Sequence, residues 1–249
     1  MLSKSYLPTE QLNRIISLPH STFHEGRSGI DILYTQVLEQ AVDMDMENEE
    51  PSSRFRTVVG AVLLVFNPLS VETLSDLLGV LGVSTTLRSL HSLLLVPTSK
   101  VAPIRAFHKS FPDFLMDPGR CADHRFFINP SIHHREILLS CLSVMQKRLR
   151  KNICNLDDYV LLSEVEDLSE RRMAYIGDVL GYACHFWANH LTCVPGSGPD
   201  VEEVWEAIDE FFTVYLLFWV EVQSLMGNLD VCVYALNDIQ QWYTLVSCG

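Results

Sequence analysis

Apolar residues recur at steps of three and four along most of this chain, which is the spacing of one face of an α-helix. In residues 28–42 this stripe consists of Ile30, Leu33, Val37 and Ala41, with Tyr34 and Leu38 beside it. The pattern predicts a helix. The acidic stretch that follows, residues 43–53, has no such periodicity and is interpreted as a solvated loop.

The next segment predicts a helix over Phe55–Phe66, a break at NPLS, and a short helix over Ser70–Leu78. Ser70 suits an N-cap because its hydroxyl can accept an unpaired backbone N–H. Gly79 suits the helix end because glycine adopts the left-handed conformation at little cost.

A third helix is predicted to carry Leu87, Leu90 and Leu94. It runs into LLLVPTSKVAPIRAF, in which two β-prone pieces flank a turn containing proline, serine and lysine. Three helices followed by a β-hairpin is the plan of a winged-helix domain.

The remainder of the chain predicts only helices. From residue 131 a helix carries Leu138, Leu142, Met145 and Leu149 on one face and ends in the basic cluster KRLRK, residues 147–151. Further helices are predicted over Ser169 to about Leu191, with Gly177 and Gly181 permitting close contact, then over 201–226 and 229–246. Antiparallel helices with short connections predict a bundle or the first turns of a solenoid, although no repeat period is visible.

Charge and composition narrow the function. The chain has 31 acidic and 18 basic residues, a net charge of −13, which opposes binding to phosphate backbones. The third helix offers only Arg88 and His91 to DNA, so we expect no nucleic-acid partner. The apolar runs fall short of the roughly 20 residues that span a bilayer, so we expect no membrane partner. The seven scattered cysteines are interpreted as reduced, mostly buried thiols of an intracellular, cytoplasmic protein.

The stretch IRAFHKSFPDFL, residues 104–115, contains the main candidate site residue, His108. Ser110 and Asp113 form a capping-box pattern, which predicts a helix from near Phe111 with His108 just outside its N-terminus. A helix N-terminus favours anions, and a neutral imidazole can donate a hydrogen bond to a phosphate oxygen. A histidine hydrogen-bonded within a loop is the other interpretation, and both stay open.

Metal and catalytic motifs are absent from the sequence. Asp43, Asp45 and Glu47 alternate as calcium ligands do, but the loop lacks the required glycine and has Arg54 at the twelfth position. Three histidine and cysteine groupings match no compact zinc site, namely Cys121 with His124, His133 with His134, and His185 with His190 and Cys193. GxSxG, HExxH and GxxxxGK[ST] motifs are missing. We expect no metal site and no enzyme activity.

One family combines these elements in the same order. The segments GIDILYTQVL, FRTVVGAVLLVFNPLSVETLSDLLGV, LRSLHSLLLVP, the stretch from IRAFHKSF to RKNIC, YACHFWANHL and LLFWVEVQSLMG together resemble the region after the ATPase core in fungal NACHT-type proteins. These are NLR-like signalling NTPases of the STAND class. The resemblance covers nearly the whole chain, and its specificity lies in the order of the motifs.

The resemblance implies a mainly α fold in three parts. Residues 1–53 would correspond to a first helical domain, 54–120 to a winged helix with a short β-hairpin, and 121–249 to a second helical domain built as an antiparallel bundle. Related NTPases use a winged-helix histidine to contact bound nucleoside diphosphate, and His108 in FHKSF is the matching position. ADP or ATP is thus implied for an intact family member, whereas this chain lacks the phosphate-binding loop and should carry no cofactor alone.

The expected function is a non-catalytic regulatory and scaffolding segment that relays nucleotide state between domains when joined to an ATPase core. Its expected partners are other protein modules, such as an ATPase core or repeat domains, and self-association is a further expectation. The alternative hypothesis is a stand-alone helical adaptor for protein–protein interaction with no nucleotide role.

Overall fold

The computed structural model describes residues 28–41, 50–99 and 101–247. These residues form a mainly helical structure with one short two-stranded antiparallel sheet, so the predicted fold class is confirmed. The calcium-like residues Asp43, Asp45 and Glu47 lie outside the described residues. The boundaries predicted for the three domains stay predictions.

The elements follow one another in a simple order. The α-helices are α1 (Gly29–Ala41), α2 (Glu50–Leu64), α3 (Val71–Leu78), α4 (Val83–Ser89), α5 (Ser110–Met116), α6 (Pro130–Arg148), α7 (Leu168–Tyr175), α8 (Gly177–Thr192), α9 (Val201–Glu210), α10 (Leu216–Met226) and α11 (Leu229–Ser247). Strands β1 (Leu94–Leu95) and β2 (Arg105–Ala106) lie between α4 and α5. A 3-10 turn at Leu162–Glu164 precedes α7, and a π-helical segment, Phe211–Tyr215, joins α9 to α10.

Helix α1 occupies the predicted range but buries a different face. Asp31, Tyr34 and Leu38 are buried, whereas Ile30 of the predicted stripe is exposed. The next helix also differs from prediction, because α2 begins at Glu50 and therefore includes residues that were expected to form the end of a loop.

The capping signals of α3 are confirmed. The Ser70 hydroxyl accepts a hydrogen bond from the Thr73 backbone N–H, and Gly79 ends the helix in the left-handed conformation at φ 63°. The third helix was predicted too long, because α4 ends at Ser89 and Leu94 lies in β1. The hairpin pairs Leu94 with Ala106, which returns the chain toward α5.

Helix α6 is the central element of the second half and packs most extensively against α8. Its four predicted stripe residues, Leu138, Leu142, Met145 and Leu149, are all buried. Helix α2 crosses α6 so closely that a Cβ added at Gly60 would lie 2.9 Å from the His133 ring. Since real Cβ atoms do not approach that closely, any larger residue at this crossing would displace the His133 ring.

The single helix predicted from Ser169 to about Leu191 is wrong, because the chain breaks at Gly177, whose φ is 61°. The proposed close contact at Gly177 and Gly181 is also wrong, since a Cβ at either position would meet nothing within 4 Å. Gly177 therefore serves the backbone turn between α7 and α8 rather than helix packing.

Six cysteines lie among the described residues, and all except Cys193 are buried. Burial raises the pKa of Cys141 above its usual value and places that of Cys184 well above it. In the described part of the chain, no helix combines the length and the apolar character needed to cross a membrane.

Candidate functional site

His108, the predicted nucleotide-sensing residue, lies on the surface between β2 and α5. Its neighbour Lys109 and the strand residue Arg105 are exposed as well. Helix α5 has only seven residues, so its macrodipole is small. The case for an anion contact therefore rests on the imidazole itself and the cations beside it.

The hydrogen bonds of His108 define its tautomer. Its Nδ1 accepts from the Ser110 backbone N–H at 3.1 Å and lies 2.7 Å from the Ser110 Oγ. A backbone N–H can only donate, so Nδ1 carries no proton and the neutral ring holds its proton on Nε2. Nε2 has no hydrogen-bond partner among the described residues, which leaves one N–H donor on the surface.

The capping-box prediction is wrong in its details. Ser110 is the first residue of α5, and the N-cap residue, Lys109, makes no side-chain cap. His108 instead satisfies the Ser110 N–H. The loop interpretation and the anion interpretation of His108 are compatible, because each uses a different ring nitrogen.

The Ser110 hydroxyl extends this contact to α1. It lies 2.6 Å from the Tyr34 hydroxyl, and the Tyr34 ring packs against Phe111 and Phe114 with both centroid distances at 5.4 Å. Since Nδ1 accepts, the consistent arrangement is Tyr34 O–H to Ser110 Oγ and Ser110 O–H to His108 Nδ1. A chain of hydrogen bonds thus connects α1 to the exposed imidazole.

An ion pair between buried Asp31 and partly exposed Arg120 holds α1 at the same place. The Arg120 guanidinium donates to Asp31 through Nη2 at 2.6 Å and through Nε at 3.2 Å. The Asp31 side chain is almost fully buried, and Arg120 is 30% exposed. We call the set Asp31, Tyr34, His108, Ser110 and Arg120 the α1–α5 junction.

A second group of polar side chains lies inside the molecule, where α6 meets α8. His134 Nδ1 lies 2.8 Å from His190 Nδ1, and His190 Nε2 lies 2.8 Å from the Tyr182 hydroxyl. The Phe66 backbone N–H donates to that hydroxyl at 3.3 Å. We call His134, Tyr182 and His190 the α6–α8 cluster.

Only one proton can lie between the two Nδ1 atoms. The arrangement that satisfies each described group has Tyr182 donating to His190 Nε2 and His190 Nδ1–H donating to His134. Burial, helped by the nearby His134, lowers the pKa of His190 to about 3. Burial, together with the charge of His133, also lowers the pKa of His134. Burial raises the pKa of Tyr182, so the cluster is neutral at pH 7.

Aromatic rings enclose the cluster. The Phe66 ring centroid lies 4.8 Å from that of His190 and 5.8 Å from that of His134. His133 points elsewhere and hydrogen-bonds Glu136 at 2.8 Å. As expected for adjacent helical residues, the two neighbouring histidines contact different partners.

The structure does not bring together the grouping of His185, His190 and Cys193 that was considered for metal binding. The structure joins His190 to His134, fifty-six positions away in the sequence, and not to its grouped partners His185 and Cys193. No group of three or more histidine, cysteine, aspartate or glutamate side chains suited to a metal ion occurs within residues 28–41, 50–99 and 101–247. Sequence spacing missed the α6–α8 cluster, although His190 continues the three- and four-residue steps of Leu180, Ala183 and Trp187 along the sequence.

Arg88 and His91, considered above as DNA contacts, both line an open groove of about 510 Å³ between α3, α4 and the hairpin. His91 Nδ1 lies 3.0 Å from the Arg88 carbonyl oxygen, and Glu72 faces the same groove. The opposing carboxylate reduces the positive potential that a phosphate backbone would need.

Comparisons with protein-family models, curated proteins and solved structures give no match for this chain.

Proposed function

We propose that this chain is a non-catalytic regulatory and scaffolding segment of a fungal NACHT-type, NLR-like signalling NTPase, acting in the cytoplasm. When joined to an ATPase core, it relays the nucleotide state between domains. The observation that carries the proposal is the hydrogen bonding of His108, which leaves Nε2–H exposed while Nδ1 connects through Ser110 to Tyr34. The resemblance described above supplies the ligand, ADP or ATP.

The relay would operate through the α1–α5 junction. A nucleotide phosphate that accepts a hydrogen bond from His108 Nε2–H polarises the imidazole, which strengthens Nδ1 as an acceptor only weakly. The same hydrogen bond also fixes the orientation of the ring. A fixed ring fixes Ser110 and, through its hydroxyl, Tyr34 of α1. The nucleotide would then favour one of two arrangements of the helical segment relative to the winged helix.

A stand-alone adaptor is the second candidate function. The observation that favours it is the set of exposed apolar residues on α11, among them Leu229, Val233 and Leu236. Such a surface suits a protein partner and needs no nucleotide.

The first test is the transcript itself. Sequencing upstream of the codon for Met1 should reveal an in-frame GxxxxGK[ST] motif after a predicted strand. Its absence would overturn the NTPase proposal and leave the adaptor.

The second test uses the protein with its ATPase core and a matched pair of His108 variants. In His108→Asn the amide oxygen can still accept the Ser110 N–H, but the distal donor is gone; His108→Ala loses both contacts. We expect both variants to bind ADP at least about tenfold more weakly, which is about 1.4 kcal/mol, while only His108→Ala also loses stability without nucleotide. Unchanged ADP affinity in His108→Asn would overturn the sensor role.

The chain of residues 1–249 provides the corresponding control. We expect no ATP hydrolysis and no tight binding by calorimetry, because nothing in the sequence supplies a phosphate-binding loop. Micromolar ADP affinity that disappears in His108→Ala would contradict the fragment hypothesis.

A further inference from the structure

Helix α11 has one face in the core and a second apolar face in solvent. Its core face consists of Cys232, Ala235, Ile239 and Trp242, all buried. The second face consists of Leu229, Val233, Leu236, Gln240 and Tyr243, which follow one another at steps of four, three, four and three. We call these five residues the α11 stripe.

The apolar residues of the α11 stripe are each about half exposed. Leu229 is 51% exposed, Val233 60%, Leu236 45% and Tyr243 49%. Alternating steps of four and three place side chains in the seam along which a second helix packs. Four large apolar side chains in such a seam therefore suit a helix as the occupant.

The surrounding charge indicates which kind of helix. Residues 173–249 contain ten aspartates and glutamates and no lysine or arginine. Asp230 is exposed on α11 itself. Trp205 of α9 contacts the stripe at Tyr243, with a centroid distance of 5.3 Å, and lies beside the exposed Glu202 and Glu206. None of these three carboxylates has an ion-pair partner among the residues that the structure describes.

We propose that the α11 stripe is a docking site for a basic amphipathic helix of a partner protein. The partner's apolar residues, also at steps of three and four, would cover the stripe, and its lysines or arginines would pair with Asp230, Glu202 and Glu206. A second copy of α11 fits poorly because it would bring the same carboxylates together. The docking site does not depend on a nucleotide role.

Two synthetic helical peptides test the proposal on the full chain. Both carry leucines at steps of three and four; one has lysine and arginine at the other positions and one has glutamate. Fluorescence of Trp205, the one tryptophan that is not deeply buried, reports occupancy beside Tyr243. We expect the basic peptide to bind at least about tenfold more tightly than the acidic one, with affinity falling as salt increases.

Variants with the same added charge separate docking from general attraction. Leu236→Glu makes the surface more acidic, yet it should weaken binding of the basic peptide at least about tenfold, because it places a carboxylate in the apolar seam. Tyr234→Glu adds the same charge on another face of α11 and should leave the affinity within about twofold. Gln240→Leu extends the seam and should strengthen binding.

Three results would overturn the proposal. Equal affinity for the two peptides would show that a basic partner is not required. Unchanged binding of the basic peptide in Leu236→Glu would show that the α11 stripe is not the docking site. A dimer of the free chain in analytical ultracentrifugation that is lost in Leu236→Glu would identify a second copy as the occupant instead.

Discussion

The α1–α5 junction and the α6–α8 cluster both hold a histidine through Nδ1, yet they leave the imidazole in opposite environments. His108 is exposed, accepts a backbone N–H and retains a donor in solvent. His190 is fully buried, and both of its nitrogens are occupied by side chains. The His108 ring can bind a ligand, whereas the His190 ring makes only hydrogen bonds inside the fold.

The difference teaches that burial and partners, rather than residue type, decide what a histidine can do. Protonation of His190 would place a charge beside the Phe66 ring and the buried Tyr182 hydroxyl, where solvation is poor. The α6–α8 cluster should therefore respond to acid as a structural element.

The largest expected effect is in the α6–α8 cluster. His190→Ala should lower the free energy of unfolding by about 2–4 kcal/mol, because it creates a cavity and leaves Tyr182 and His134 without their partner. Urea unfolding at neutral pH measures the loss. The neighbouring Asn189 is exposed, and Asn189→Ala should change stability by less than about 0.5 kcal/mol. Equal effects would mean that the cluster contributes no stability.

The next effect is the dependence of stability on pH. The ordinary histidine pKa is 6.5, and in the fold that of His190 is lowered to about 3. Between these values the unfolded chain binds more protons, so stability falls as the pH is lowered, by at most about 1.4 kcal/mol per pH unit for this histidine. From about pH 6.5 to about pH 5 we expect a loss of between about 1 and 2 kcal/mol.

Urea titrations above about pH 4.5 separate the contribution of the two buried histidines, His190 and His134, from that of the aspartates. Asp123, whose pKa is lowered from 3.8 mainly by its hydrogen bond with Arg125, loses its contribution only at lower pH. The slope should be smaller in His190→Ala and unchanged in Asn189→Ala, which removes no titratable group. A slope that persists in His190→Ala would assign it to other groups.

The smallest effect is expected at the α1–α5 junction. Arg120→Ala leaves the buried Asp31 carboxylate unpaired and should cost about 1–2 kcal/mol, less than a fully buried pair because Arg120 is partly exposed. Thermal unfolding measures it. Arg148→Ala removes an exposed partner of Asp76 and should cost less than about 0.5 kcal/mol.

A double variant sharpens the result at the junction. Adding Asp31→Asn to Arg120→Ala removes the unpaired charge and should recover part of the lost stability. If the double variant is as unstable as the sum of the single ones, the ion pair is not what holds α1 in place.

Local signals in the sequence were sufficient for several elements. Ser70 and Gly79 defined both ends of α3, since a cap depends on residues within one turn. The proline-containing turn between two β-prone pieces predicted the hairpin for the same reason. Helix α6 was predicted because its apolar stripe is uninterrupted from Leu138 to Leu149.

The features that sequence reasoning missed depend on distant residues. Asp31 is buried because Arg120, eighty-nine positions away, neutralises it, so no local pattern could identify the buried face of α1. His134 and His190 likewise meet only after α6 and α8 pack. The candidate site was located at His108 from its neighbours, but the Tyr34 contact that connects it to α1 required the fold.

The buried thiols provide a way to measure local opening of the fold. Alkylating reagents attack the thiolate, and burial keeps Cys141 and Cys184 both inaccessible and protonated. Cys193, near the end of α8, is partly exposed, so a reagent can reach it without any opening of the fold. The two inner thiols of the native protein can therefore be labelled only when α6 and α8 separate. The labelling rate then measures how often the bundle opens locally.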